Sequence, residues 1–445
     1  MVNGNLIEIA RGAVDDAIMA GASECDVNVS QSERFSAEAR DKTITKLEQS
    51  TAKSLTLRVF VSARKATLTT SDFERDGLRT AIERVVEAAR HVAKDEHNGL
   101  PDELGLGAQA ESLRLFWSDV AERAPEAKLD DVINMERIVR AADSRIQNSN
   151  GAHYSDVITT HALANSRGFS GEYRSTRASR SVSPVAFDGA AKRTSSYGTA
   201  SRRLASLEPV DAVARTAVRR TVELFGARKP STMRVPVIFE RDVAGMVMHD
   251  VFAALSGTNV VTSNSWASER LGERIGSELA NIVDDGTIPG ALGTSPFDGE
   301  GVPTRLTTVF ERGVLRSFLL DTYYAKRLGM HTTGNASSAG IGPNNFVLAP
   351  GTQSLEQLIA ATHRGVLVLD TIGFATEYAT GTYSRGARGF AIENGELAYP
   401  IDEFTIASTY PEMLAGLDAV ANDLRFDASV VSPSFRVAEM TISGN

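Results

Sequence analysis

Residues 55–61 read Leu55-Thr56-Leu57-Arg58-Val59-Phe60-Val61, and their alternation of apolar and polar side chains decides how the first half of the chain is read. Successive side chains of an extended strand point to opposite faces, so a period of two marks a sheet with one buried face. The alternation returns in Val27-Asn28-Val29 and runs from Asp26 to Thr70, broken at Asp41-Lys42 and Ala63-Arg64. Polar breaks between alternating runs are turns, which predicts an antiparallel meander.

Outward from the meander the period changes to that of a helix. Leu6, Ile9, Ala10, Ala13, Ala17 and Ile18 predict a helix over 4–20, stopped by Gly21. Ser71 or Asp72 can cap a second helix bearing Leu78, Ile82, Val85, Val86, Ala89 and Val92. His97 to Gly107 contains Asn98-Gly99, Pro101 and further glycines, and reads as a loop between subdomains. A helix is expected over 131–147, strands from His153 to Arg203, a helix over 208–226 and a linker from Gly226 to Thr232. After Val235 the chain is apolar, glycine-rich and built of short strands, with helices near 241–256, 354–361 and 411–417. The expected fold class is α+β: an N-terminal antiparallel sheet flanked by helices (1–107), a central α+β segment with antiparallel strands (108–230) and a β-rich C-terminal domain (231–445).

The composition is that of a globular protein, with 42% hydrophobic and 23% charged residues. No apolar run reaches the ~20 residues of a membrane span. The first residues carry acids within their apolar pattern and no basic leader, so a cytoplasmic location is expected. A net charge of -9 argues against nucleic-acid binding, which needs a dense basic surface. Arg167, Arg174, Arg177, Arg180, Lys192, Arg193, Arg202 and Arg203 run against that average, and are read as solvated strand faces or a basic wall toward an acidic partner. Cys25 is the only cysteine, which excludes an intrachain disulfide.

Candidate chemistry gathers at two places. In Met246-Val247-Met248-His249-Asp250-Val251-Phe252-Ala253-Ala254-Leu255 a helix would bury Val243, Val247, Val251, Ala254 and Leu255, leaving His249 among small residues against another element or cleft, held by packing or hydrogen bonds. One imidazole cannot hold zinc, so no metal is expected in this chain. The glycine-rich run Gly381 to Gly389 and the turn Asp298 to Gly301 let backbone approach closely, and Asp298, Glu300, Tyr383, Ser384 and Arg385 are candidates for a substrate or partner cleft; the alternative is that Arg385 pairs with a carboxylate to hold its loop. Asp284-Asp285 and Asp298-Gly299-Glu300 place carboxylates in turns, where they suit a cation or cap their own backbone. There is no G-x-S-x-G, Walker lysine loop or G-x-G-x-x-G.

Several strings resemble the TldD/PmbA family: VPVIFERDVAGMV, SPFDGEGVPT, GVLRSFLLDTYYAKRLGMHTTGNASS, TGTYSRGARGFAIENGELAYPIDEFTIAS and SPSFRVAEMTISGN, with AGASECDVNVSQSE, LTLRVFVSARKATLTTSDF and RIQNSNGAHYSD in the first half. They span nearly the whole chain in order. The TldD type of that family carries H-E-x-x-x-H and a late cysteine as zinc ligands, and the PmbA or TldE type lacks them. On the matching positions His249 takes the first ligand place, Asp250 the glutamate and Ala254 the second histidine. At Ile406-Ala407-Ser408-Thr409 the chain departs from the family's usual Gly-Asn continuation, which puts the local loop shape in doubt. The resemblance implies a PmbA/TldE-like subunit of a heterodimeric metallopeptidase, its zinc held by a TldD-like partner, acting on extended, unfolded or precursor peptides; a homodimer is expected for the chain alone. Alternatives are a self-sufficient non-zinc hydrolase or biosynthetic enzyme using the Tyr383–Arg385 run and the Asp298/Glu300 turn, and a regulator or scaffold.

Overall fold

The meander forms as the alternation predicts. In the computed structural model, which describes residues 5–107, 110–373 and 376–444, β1 (Glu24–Arg40), β2 (Thr43–Val61) and β3 (Arg64–Thr70) pair antiparallel. The connecting residues Asp41, Lys42, Ser62 and Ala63 all have positive φ, between 50 and 64°. Two consecutive left-handed residues make a turn whose twist matches that of the strands. α1 (Leu6–Met19) and α2 (Arg75–Arg90) cover one face, burying Leu6, Ala10, Ile82 and Val86 against Val27, Val29, Leu55 and Leu57. Gly4, the first residue of the expected helix, lies outside the described residues. Neither Ser71 nor Asp72 is the N-cap of α2: that place is Glu74, and the Asp72 carboxylate instead accepts from the Glu74 backbone N–H.

The short turns α3 (Ala110–Leu113) and α4 (Ser118–Ala121) lead into α5 (Pro125–Ala142). The helix expected over 131–147 therefore starts earlier and ends earlier. Pro125 supplies the first turn, where a missing N–H costs nothing. At its end, Asp143 turns extended and accepts from both the backbone and the guanidinium of Arg145. Buried Ile146 then opens β4 (Ile146–Asn165). With β5 (Ser170–Asp188), β6 (Ala191–Thr194) and β7 (Tyr197–Ser201) it extends the meander into one seven-stranded sheet, ordered β3-β2-β1-β4-β5-β6 with β7 also on β5. This sheet draws on both the first and second thirds of the chain. α5 and α6 (Val210–Val222) cover its far end, packing Val132, Met135 and Ala217 on Phe35, Tyr154 and Val182. The basic run is not uniformly solvated, because Arg180 and Arg202 are buried.

The last part begins with β8 (Met233–Phe239), α7 (Arg241–Leu255) and α8 (Gly257–Val261), then β9 (Ile282–Asp285), β10 (Leu306–Glu311), β11 (Val314–Leu315) and α9 (Thr322–Leu328). After β12 (Ala336–Ser337), β13 (Gly340–Ile341), β14 (Phe346–Leu348) and α10 (Leu355–Ala360) come the longer β15 (Arg364–Ile372), β16 (Thr382–Glu393) and β17 (Glu396–Thr409), then α11 (Tyr410–Ala415), β18 (Leu417–Val420), β19 (Val430–Val431) and β20 (Phe435–Ser443). One sheet runs β17-β16-β15-β8-β20-β18 and closes on itself because β17 also pairs β20; a second runs β11-β10-β9-β14-β19. α7 lies within the core between them, Val247 and Val251 fully buried with Phe239, Phe346 and Phe435. Mostly antiparallel sheets with helices packed against them make this an α+β protein, as expected. No helix among the described residues is long and apolar enough to cross a membrane.

Candidate functional site

The N-cap of α7 is Glu240, whose carboxylate accepts from the Asp242 N–H at 3.0 Å. This fixes the start of the helix, and the 3.6-residue period then turns Gly245, Met246 and His249 away from the core. They face a cavity of about 720 Å³, whose other walls include Tyr197 and Gly198 of β7, Arg385 of β16, and Arg425 and Asp427. The His249 imidazole is exposed there. Its ring stands 6.4 Å from that of Phe252 and makes no hydrogen bond among the described residues; of the expected packing or hydrogen bonding beside a cleft, only the ring contact and the cleft are present.

Asp250 lies one position along and inward. Its carboxylate accepts from Arg385 Nη2 at 2.7 Å, Tyr410 Oη at 2.7 Å and Thr376 Oγ1 at 3.3 Å. Arg385 also donates to the Gly373 carbonyl and to Thr376. Burial, the largest influence, would lower the Arg385 pKa; Asp250, Tyr410 and Tyr383 together outweigh it, and the net shift is upward. The Tyr410 hydroxyl is pushed well up, by burial first and then by Asp250. Asp250 Oδ2 is thus held by a guanidinium and a phenol, and Oδ1 by the Thr376 hydroxyl alone.

Ala254, at the second ligand position, is fully buried and has no donor atom. Zinc requires about three protein ligands. The positions offer one free imidazole, a carboxylate held by a guanidinium and a phenol, and a methyl group; these do not fit the metal. Among the described residues no three His, Cys, Asp or Glu side chains converge to hold an ion. Cys25 is buried in the first sheet, its thiol pushed up to about 12 by burial first and then by Asp26.

The other sequence candidates separate. Residues 382–389 are strand rather than loop, which corrects the reading of a ligand-embracing turn. Gly389 is required by the neighbouring strand: a Cβ there would lie 1.8 Å from the Leu367 carbonyl oxygen of β15. Period-two alternation sends Tyr383 and Arg385 inward and Ser384 outward to solvent. Tyr383 is 1% exposed, edge-on to Phe239 and Tyr410, so it belongs to the core and only Arg385 reaches the cavity. The capping box of Thr409 with Glu412 shapes the end of β17, where the sequence departs from the family pattern.

Asp298 and Glu300 stand apart from that cavity. Asp298 folds its turn by accepting from the N–H groups of Glu300, Val302 and Ala336. Glu300 accepts from the Thr322 N–H at 2.9 Å and from Arg58 Nη1 at 2.8 Å, while Arg58 holds Asp26 through Nη2 at 2.7 Å. They form a strut tying the first sheet to the C-terminal part, not a cleft. Asp298 is pushed up to about 7 by burial and then by the Glu300 charge; burial acts upward on Glu300 too, but Arg58 brings it down. Asp284 accepts from the amides of Asn335 and Asn344, and Asp285 from Thr287, so neither presents a cation site. Sequence reasoning missed Thr376, Tyr410 and the Tyr197–Arg425 wall; a tyrosine followed by proline at a helix start carries no signal for a contact 160 residues back.

With this geometry in place, comparison with known proteins is direct. Residues 25–89, 118–225 and 232–444 match domain 1, the central domain and the C-terminal domain of the PmbA/TldA metallopeptidases. The chain belongs to the PmbA/TldD family. It is 32% identical over 434 residues to a metalloprotease PmbA homolog of Haemophilus influenzae, covering 97% of this chain and 95% of that protein. It is 30% identical to metalloprotease PmbA of Escherichia coli O157:H7, covering 98% and 94%. Among solved structures, a Bacteroides thetaiotaomicron protein carrying the provisional label of DNA gyrase modulator superposes with a TM-score of 0.93 at 27% identity, covering 100% of both chains. TldE from Thermococcus kodakarensis shares the fold with a TM-score of 0.89 at 23% identity, covering 98% of this chain and 99% of that one.

Proposed function

We propose that this chain is a PmbA/TldE-type subunit of a two-subunit cytoplasmic metallopeptidase. A TldD-like partner holds the zinc, and the two chains together enclose extended, unfolded or precursor peptides for cleavage. The observation that carries this is the state of Asp250. A carboxylate that takes a proton from a zinc-bound water acts as a free base, and here Arg385 and Tyr410 hold Oδ2 while Thr376 reaches Oδ1. The cavity beside it has a volume of about 720 Å³. Backbone pairing of an extended peptide with a strand would give affinity with little sequence preference.

The alternative of a self-sufficient hydrolase uses the Tyr383–Arg385 run and the Asp298/Glu300 turn; Tyr383 is buried, Arg385 is paired with Asp250, Glu300 is held by Arg58, and Asp298 by the backbone of its own turn. The test is to purify the chain without chelators, alone and with a TldD-like protein, and to measure zinc and peptide hydrolysis. The expected result is no stoichiometric zinc and no hydrolysis for the chain alone, with both appearing in the complex. Close to one zinc per isolated chain, or chelator-resistant hydrolysis by it, would sink the proposal.

A further inference from the structure

A second cavity, of about 280 Å³, lies where the face of the first sheet turned away from α1 and α2 meets residues 292–295. It shares no lining residue with the cavity at His249. Its register follows from the β4–β5 pairing, which sets His161 opposite Tyr173 and Val157 opposite Arg177 on one face. Behind them stands Arg202, only 7% exposed. Its Nε donates to the Ala291 carbonyl at 2.9 Å and its Nη2 to those of Leu292 and Thr294 at 3.0 and 2.8 Å. Those bonds use three of the five guanidinium hydrogens, leaving Nη1 with no acceptor among the described residues.

A buried guanidinium ordinarily has a carboxylate or phosphate against it, because carbonyl dipoles offset only part of the cost of removing the charge from water. Arg202 has none: the charged and titratable neighbours that act on it are Tyr173 and a second cation, Arg177. The crowding of positive charge is visible in the pKa values. Arg202 is pushed down to about 10 by burial first, and His161 down to about 4 by burial and then by Arg202. The His161 ring stacks on Tyr173 with centroids 4.8 Å apart, and neither side chain has a hydrogen-bond partner among the described residues. Neither has Ser175, on the same wall.

The geometry points to this cavity as a binding site for a small oxyanion, a carboxylate or phosphate group, taken by Arg202 Nη1 and Arg177 with the hydroxyls of Tyr173 and Ser175 in reach. Planar guanidinium groups match both oxyanions. The inference does not depend on the peptidase proposal: the site belongs to the isolated chain.

The test is to follow the His161 imidazole by NMR in the full chain while adding sodium phosphate or sodium acetate at constant ionic strength. An anion beside Arg202 offsets its field, so the His161 pKa rises on binding. Arg177→Ala, at an exposed position, keeps the thermal midpoint and weakens binding at least ten-fold; Arg202→Met abolishes it, but ties to residues 291–294 make that variant prone to misfold, so Arg177→Ala decides. A short peptide with a free C-terminus, set against its amide, separates a peptide carboxylate from phosphate as the natural source. No shift of His161 with millimolar phosphate or acetate overturns the assignment. So does a shift that Arg177→Ala leaves unchanged.

Discussion

At the scale of single residues, the Asp250–Arg385 pair shows how a buried helix-borne carboxylate is held by a group far along the chain. Both side chains are under a tenth exposed. Removing one partner of a buried pair leaves the other charged in a dry site, which costs about 3 kcal/mol or more. Arg385→Ala should therefore lower stability by about that amount in denaturant unfolding, and Arg385→Ala with Asp250→Ala should recover much of the loss; equal, additive losses would show that the pair is not coupled. Tyr383 behaves oppositely. Its hydroxyl is buried without a partner, so Tyr383→Phe removes an unsatisfied group and should leave stability unchanged or raise it slightly. It should also leave activity of a reconstituted complex intact, since Tyr383 does not line the cavity; a ten-fold loss would return it to the substrate cleft. A pH effect follows from Asp284, which burial pushes up to about 7 despite amide donors from Asn335 and Asn344. Between an unfolded value of about 4 and 7, the folded chain holds a proton that the unfolded chain has lost, so stability falls as pH rises through this window. Asp284→Asn should flatten that fall in thermal scans from pH 5 to 8, whatever it does to the absolute midpoint; an unchanged slope would rule Asp284 out as its source.

At the scale of elements, glycine had two competing readings in the 381–389 run, and the structure separates them by strand packing. Gly389 faces the Leu367 carbonyl of β15, whereas the nearest atoms to a Cβ at Gly386 are 3.6 Å away, on Ile372. Gly389→Ala should cost about 1–3 kcal/mol as overpacking and Gly386→Ala well under 1 kcal/mol, measured by chemical unfolding of both variants. Comparable losses would mean that the run is more rigid, or more yielding, than the strand geometry describes. The same run shows where sequence reading stops. The β1–β3 meander was legible because its alternation is strict and its turns are two residues long. The alternation of Tyr383, Arg385 and Ala387 was equally regular, but its glycines suggested a loop, and what required them was a neighbouring strand. Helix α5 was read several residues late because its apolar stripe is weak near Pro125 and the helix ends at Asp143 through a local Arg145 contact. His249, Asp250 and Ala254 were legible from the motif, while Arg385, Tyr410 and Thr376 converge on Asp250 only after β16 closes beside α7. No local pattern encodes that meeting.

At the scale of the whole molecule, a β-rich C-terminal part has reason to assemble wherever it leaves strand edges bare. That reason does not hold for its larger sheet, whose β17–β20 pairing closes it into a ring. A longer open edge lies in the other half. β3 covers β2 only from Leu55 to Val61, so the outer side of β2 from Thr43 to Ser54 has no strand beside it among the described residues, and most of those side chains are exposed, Leu47 by 54%. A long edge of this kind is a template for a second chain unless it is blunted by charge or proline. Lys46, Glu48 and Lys53 blunt it in part, and no proline interrupts it. It supports the proposed partnership by offering backbone groups of defined register. The chain mixed with a TldD-like protein should give a heterodimer by light scattering, where the chain alone gives a homodimer. If the partner uses this edge, the backbone amides of residues 43–54 should exchange with deuterium at least ten-fold more slowly in the complex, since pairing an edge protects its outward N–H groups. A heterodimer without that protection would place the contact on another surface. A mass that stays monomeric at micromolar concentration, with exchange at β2 unchanged on mixing, would count against the two-subunit reading itself, because the enclosed peptide site it requires could not form.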